Sequence, residues 1–156
     1  MKVIKAPEQI VFSTSTLFLA GSIEMGKAVD WQTQVTNALV DKEVTIFNPR
    51  RDDWDSSWEQ KITNLKFKEQ VVWELMALEW SDVIVMYFDP ATMSPISLLE
   101  LGLYARDPFS MTRMIVCCPE GFWRKGNVDI VCQRYGVRQV ETLEELIEAV
   151  REEFNG

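Results

Sequence analysis

The chain has 156 residues, the size of one ordinary domain. Hydrophobic residues make up 47% and charged residues 26%, a balance that excludes a disordered chain and supports one packed core. A formal net charge of −8 disfavours a nucleic-acid polymer or an anionic membrane as partner but not a single neutral nucleoside. The absence of histidine removes the Ser-His-Asp triad, the Cys-His pair and histidine-ligated metals together, so acid–base work falls to carboxylates, Tyr, Lys or Cys.

Along the chain, the first ten residues read as a loose lead-in without the apolar run of a signal peptide. Ser15 to Ala20 predicts a short buried strand ending at Gly21-Ser22. Lys27 to Asp41 follows with helical spacing, Val29, Val35, Leu39 and Val40 falling near one face. Val44 to Phe47 predicts a second strand, closed by Asn48-Pro49, and Arg50 to Trp58 reads as a polar and aromatic loop. A long helix is expected from about Trp58 to Trp80, with Ile62, Leu65, Val72, Leu75, Met76 and Leu78 as its apolar members. Val83 to Phe88 is the strongest strand signal, flanked by Asp82 and Asp89-Pro90. Ser94 to Ala105 predicts a helix, Arg113 to Cys118 a strand, and Val137 to Val140 a last short strand. Glu141 to Phe154 predicts a terminal helix, with Thr142 as N-cap and Glu145 completing a capping box. Cys117, Cys118 and Cys132 form no disulfide framework and read as buried thiols of a reducing cytosol. The apolar runs are too short to span a bilayer, so the cytoplasm is the expected location.

Strands alternating with helices imply a mostly parallel sheet of about five strands covered on both faces. In such folds the ligand sits beyond the carboxyl ends of the strands. Three strand ends are therefore candidate site segments. Gly21-Ser22-Ile23 allows close approach of the backbone to a ligand and is no phosphate loop. Asn48 to Trp54 offers Trp54 for stacking and Asn48 or Asp53 for hydrogen bonds, with Arg50, Arg51 and Lys125 as a cationic spot. Asp89 to Gly102 contains Ser94, Ser97 and Glu100. Here two helix starts compete. Ser97 and Glu100 have capping-box spacing, which would make Glu100 a cap; Ser94-Pro95 is the rival start, which would bury Glu100 among Leu98, Leu99, Leu101 and Leu103. A carboxyl in such company needs a partner or a task. Glu74, in an equally apolar stretch, is a second acid. Two carboxyls are the minimum kit for glycosidic chemistry, one attacking the anomeric carbon and the other moving protons on the leaving group.

Phe18-Leu19-Ala20-Gly21-Ser22-Ile23, the loop Asn48 to Trp58, the stretch Trp73 to Val83 and Ser97-Leu98-Leu99-Glu100-Leu101-Gly102 together resemble the nucleoside 2-deoxyribosyltransferase family, in particular its deoxyribosyltransferase-like branch. The resemblance runs over nearly the whole chain. It implies a flavodoxin-like doubly wound fold, a homo-oligomer, no cofactor, and nucleosides and free nucleobases as the small-molecule partners. It implies that Glu100 attacks C1′ of a 2′-deoxynucleoside, forming a covalent intermediate that a second base resolves. Resolution by water instead would make the chain an N-glycosidase; a non-catalytic nucleotide-binding module is the third reading. The family's base-side proton donor, an Asp eight residues before Asp82, is replaced by Glu74. The resemblance also implies sugar-hydroxyl contacts from Asp89 or Ser94 and from Asn127 of a neighbouring subunit. The family's orienting Tyr on the opening strand is replaced near Phe18, leaving Tyr87 or Ser22 as candidates to orient Glu100.

Overall fold

The structure is a computed structural model that describes residues 1–11, 15–24, 27–106 and 112–155. Among these residues six strands, β1 (Lys2–Lys5), β2 (Thr16–Gly21), β3 (Thr45–Asn48), β4 (Val83–Tyr87), β5 (Arg113–Cys117) and β6 (Arg138–Val140), form one sheet in the order β1-β3-β2-β4-β5-β6. Every pairing is parallel. Five helices connect them: α1 (Trp31–Ala38), α2 (Leu65–Glu79), α3 (Pro95–Tyr104), α4 (Lys125–Tyr135) and α5 (Leu143–Glu153). Without β1, the order is that of a flavodoxin-like sheet, with the switch point between β2 and β4.

Period-two alternation splits each strand between two cores. Phe18, Ala20, Ile84 and Met86 pack under Trp73, Ala77 and Leu78 of α2, Leu101 of α3, and Val128 and Cys132 of α4. Leu17, Leu19, Val83 and Val85 pack on the opposite face with Trp31 and Val35 of α1 and Leu146, Ala149 and Val150 of α5. The three cysteines are free and buried, as expected. Asp82 locks the two central strands: its Oδ2 accepts from the backbone N–H and the hydroxyl of Thr16, each at 2.8 Å.

Several elements differ from expectation. The lead-in contains β1, a sixth strand added beside β3, whose four residues are too few to carry a pattern. Helix α4 fills the stretch between β5 and β6, for which the sequence predicted no helix. Helix α2 begins at Leu65, not near Trp58, because the Asn64 side chain accepts from the N–H groups of Lys66 and Phe67 and caps it there. Helix α1 is shortened by an Asp30 cap, and Val29 and Val40 are exposed. Of the apolar members expected in α2, Leu78 is buried, but Leu65, Val72, Leu75 and Met76 are exposed, and the helix buries Gln70, Trp73 and Ala77 beside Leu78. The terminal helix has the expected capping box, Thr142 and Glu145 exchanging hydrogen bonds. No helix among the described residues is long and apolar enough to cross a membrane.

Candidate active site

A cleft of about 590 Å³ opens at the carboxyl edge of the sheet, beside the β2–β4 switch point. Its floor is Ala20 and Gly21 at the end of β2, its walls are α2 and α3, and its rim is the loop after β3. Gly21 is required there. Its φ is +127°, and a Cβ would lie 2.4 Å from the Tyr87 carbonyl oxygen.

The start of α3 decides the environment of Glu100. Ser94 is the N-cap in a left-handed conformation (φ 45°, ψ 52°) and Pro95 opens the helix. The rival capping-box start at Ser97 is not used. Two groups of contacts hold the Ser94 corner. Glu24 Oε1 accepts from the N–H groups of Met93 (2.9 Å) and Ser94 (3.1 Å). The buried hydroxyls of Ser22, Thr92 and Ser94 contact one another at 2.5 to 2.9 Å, and Ser22 Oγ also accepts from the N–H of Asp89. Thr92 donates to the Asp89 carbonyl, so the remaining hydroxyl protons are shared within the cluster.

Glu100 therefore lies in the second turn of α3, 8% exposed, lining the cleft with Ser97 one turn before it. Its carboxyl makes no hydrogen bond to any described side chain. Burial, with a smaller contribution from the nearby charge of Glu74, raises its pKa to about 8. Glu74 reaches the same cleft from α2. Burial raises its pKa to about 7, opposed by a hydrogen bond from Gln70 Nε2 at 2.7 Å. The two acids titrate as a pair, so near neutral pH the cleft retains a shareable proton. Neither Tyr87 nor Ser22 hydrogen-bonds Glu100: Tyr87 is outside the cleft lining, and Ser22 is engaged with Thr92 and Ser94.

Of the residues singled out from the sequence, Gly21, Ile23, Trp54, Glu74, Ser94, Ser97 and Glu100 line the cleft. Ser22 lies directly behind it. Asn48 is buried beneath the rim, its side-chain oxygen accepting from the Arg50 N–H. Arg50 is turned away toward Asp30, 3.3 Å distant. Asp89 is buried, its carboxylate taken by the N–H groups of Val29 and Ala91. Asn127 is exposed on α4, away from the cleft of its own chain. The expected cationic spot does not form. Arg51 lines the cleft, but Asp53 (2.6 Å) and Glu69 (3.4 Å) pair it and it lies over the Trp58 ring. Lys125 is held by Asp129 and Glu141. The lining residues not singled out from the sequence include Glu24 and Gln70. Glu24 follows directly on Gly21-Ser22-Ile23, which was a usable signal; Gln70 carried none beyond its position one turn before Glu74. Among the described residues no group of His, Cys, Asp and Glu is arranged to hold a metal ion.

The arrangement, a buried carboxyl on α3 and a half-buried one on α2 over a glycine floor, suits attack on an anomeric carbon with proton transfer on the opposite side. A family model described as "Nucleoside 2-deoxyribosyltransferase like" matches residues 14–122. The chain belongs to that nucleoside 2-deoxyribosyltransferase-like family. The match spans β2 through β5, and so every element that lines the cleft. A conserved protein from Enterococcus faecalis V583, known as a crystal structure, superposes with a TM-score of 0.63 at 12% identity, covering 90% of this chain and 99% of that one. That likeness concerns the fold, and it supports the flavodoxin-like architecture. No curated protein matches the chain. Family membership points to glycosyl chemistry on nucleoside-related small molecules.

Proposed function

We propose that this chain transfers 2-deoxyribose between nucleobases through a covalent ester on Glu100. The observation that carries the reading is the pairing of Glu100 with Glu74 in one apolar cleft, with no free cation lining it among the described residues. In the first half-reaction a Glu100 oxygen bonds to C1′ and the C1′–N bond breaks. Its electron pair leaves with the base, which takes a proton from Glu74. The second half-reaction reverses these steps with a new base. Trp54, at the rim, stacks on the base. Gly21, Ile23, Ser94 and Ser97 surround the sugar.

The lining favours a neutral nucleoside over its 5′-phosphate. Arg51 is the sole cation in the described lining, and two carboxylates neutralise it, while Glu24 and the single charge of the Glu74–Glu100 pair add negative charge. The exposed apolar faces of α2 and α3, with Leu75, Leu99 and Leu103 at the cleft mouth, suit burial against a second copy of the chain. Such a copy would bring Asn127 of one subunit to the cleft of the other. Incubation with deoxyadenosine and free cytosine tests the reading: new deoxycytidine is expected. Free adenine without deoxycytidine would make the chain a hydrolase, and no turnover would remove the catalytic reading.

A further inference from the structure

Gln70 stands one helical turn before Glu74 on α2 and is 5% exposed. Both protons of its amide nitrogen are committed. One goes to the Pro49 carbonyl at 3.0 Å and the other to Glu74 Oε1 at 2.7 Å. Pro49 fixes the amide orientation, because a carbonyl only accepts. A flipped amide would set its oxygen against both the Pro49 carbonyl and Glu74. The orientation has a cost: the amide oxygen Oε1 is buried with no partner. The side chain thus leaves its own acceptor unsatisfied in order to grip Glu74.

We propose that Gln70 is a positioning residue for the base-side acid: it reserves Oε1 of Glu74 as an acceptor and leaves Oε2 to carry the proton that passes to the departing base. The inference rests on the function proposed above. In a protonated carboxyl the carbonyl oxygen is the stronger acceptor, so an N–H donating to Oε1 favours the proton on Oε2. Oε2 makes no hydrogen bond to a described residue. When the Oε2–H bond breaks and the base takes the proton, Glu74 becomes a carboxylate and the bond from Gln70 becomes charge-assisted. It therefore strengthens as the base leaves. Pro49 opens the rim loop, so the same amide ties the acid to the loop that holds Trp54. The other charged groups of the cleft are Glu100 on α3, Glu24 after β2 and Arg51 on the rim, the last already paired.

The test compares wild type with Gln70→Met, which keeps length and loses the donor, and Gln70→Glu, which puts an acceptor in its place. Titration of the Glu74 carboxyl by carboxyl-carbon NMR, with the resonance identified by its loss in Glu74→Gln, is expected to move to higher pH in both variants. With deoxyadenosine, Gln70→Met is expected to lose about 10-fold or more in kcat. With 7-methyl-2′-deoxyguanosine, whose cationic base departs without taking a proton, the loss is expected to stay within about twofold. An unmoved titration, or equal losses on the two substrates, would overturn the role of Gln70. Wild-type protein that turns over neither nucleoside would overturn the proposed function instead, and the titration alone would then judge the grip on Glu74.

Discussion

Glu100 on α3 and Glu74 on α2 line one cleft, and the charge of Glu74 helps keep the Glu100 carboxyl protonated to higher pH. Sequence positions 26 apart become neighbours because both helices pack on the same face of the sheet. A nucleophile must be ionised and an acid must hold its proton, so the reactive form is the singly charged pair with the proton on Glu74. That is the reverse of the order in which the empty cleft titrates, and substrate binding must shift the proton from Glu100 to Glu74.

This coupling predicts a bell-shaped pH dependence. Activity requires one proton on the pair, and the two carboxyls titrate near 7 and 8. The kcat/KM profile with deoxyadenosine is expected to peak in that range and fall on both sides. A flat profile between pH 5 and 9 would separate activity from the pair.

The same shifts predict how stability follows pH. Both pKa values are raised on folding, so the native state binds more protons than the unfolded chain above the ordinary carboxyl value of 4.5. Stability therefore falls as pH rises from there toward 8. At roughly 1.4 kcal/mol per pKa unit, that loss is a large part of an ordinary domain's stability. Glu100→Gln removes one of the two titrations, and its denaturant midpoint is expected to fall less steeply than wild type over this window.

The elements with strong local signals were legible in sequence. β4 is a continuous β-rich run, and the Thr142–Glu145 box fixed the start of α5. Glu100 stood out because acid in an apolar helix is costly. Other features depend on tertiary packing. Edge strand β1 acquires meaning only through β3. Of the apolar residues of α2, Leu78 is in the core but Leu65, Val72, Leu75 and Met76 face outward, since period gives a face and not what covers it. The grip of Glu24 on Met93 and Ser94 spans about 70 residues and has no local trace. The neutralisation of Arg51 by Glu69 is equally non-local.

Gly21→Ala tests the cleft floor. The added methyl meets the Tyr87 backbone, and φ is strained, so neither partner can yield cheaply. A destabilisation of about 2–4 kcal/mol is expected by denaturant unfolding. A change below about 0.5 kcal/mol would mean the floor is looser than described.

Ser22→Ala tests the hydroxyl cluster behind Ser94. It leaves the Asp89 N–H without its acceptor in a buried setting, at a cost of about 1–3 kcal/mol. Because the cluster holds the corner that aims α3, kcat is expected to fall further than stability alone accounts for at saturating substrate. Loss of stability with kcat intact would confine Ser22 to folding.

A shared site predicts complementation. Asn127→Ala and Glu100→Gln are each expected to be nearly inactive, while a mixture of the two refolded together regains activity, because mixed oligomers contain cleft-and-donor pairs free of either change. No recovery from a mixture that sedimentation shows to be oligomeric would place Asn127 outside the site.

The most direct measurement is intact-protein mass after acid quench, with the chain incubated in deoxyadenosine and no acceptor base. The account predicts a species heavier by one deoxyribosyl unit, mapped to the peptide containing Glu100 and absent from Glu100→Gln, whose turnover falls by about 10³-fold or more. Full turnover in Glu100→Gln, or an adduct on another residue, would contradict it.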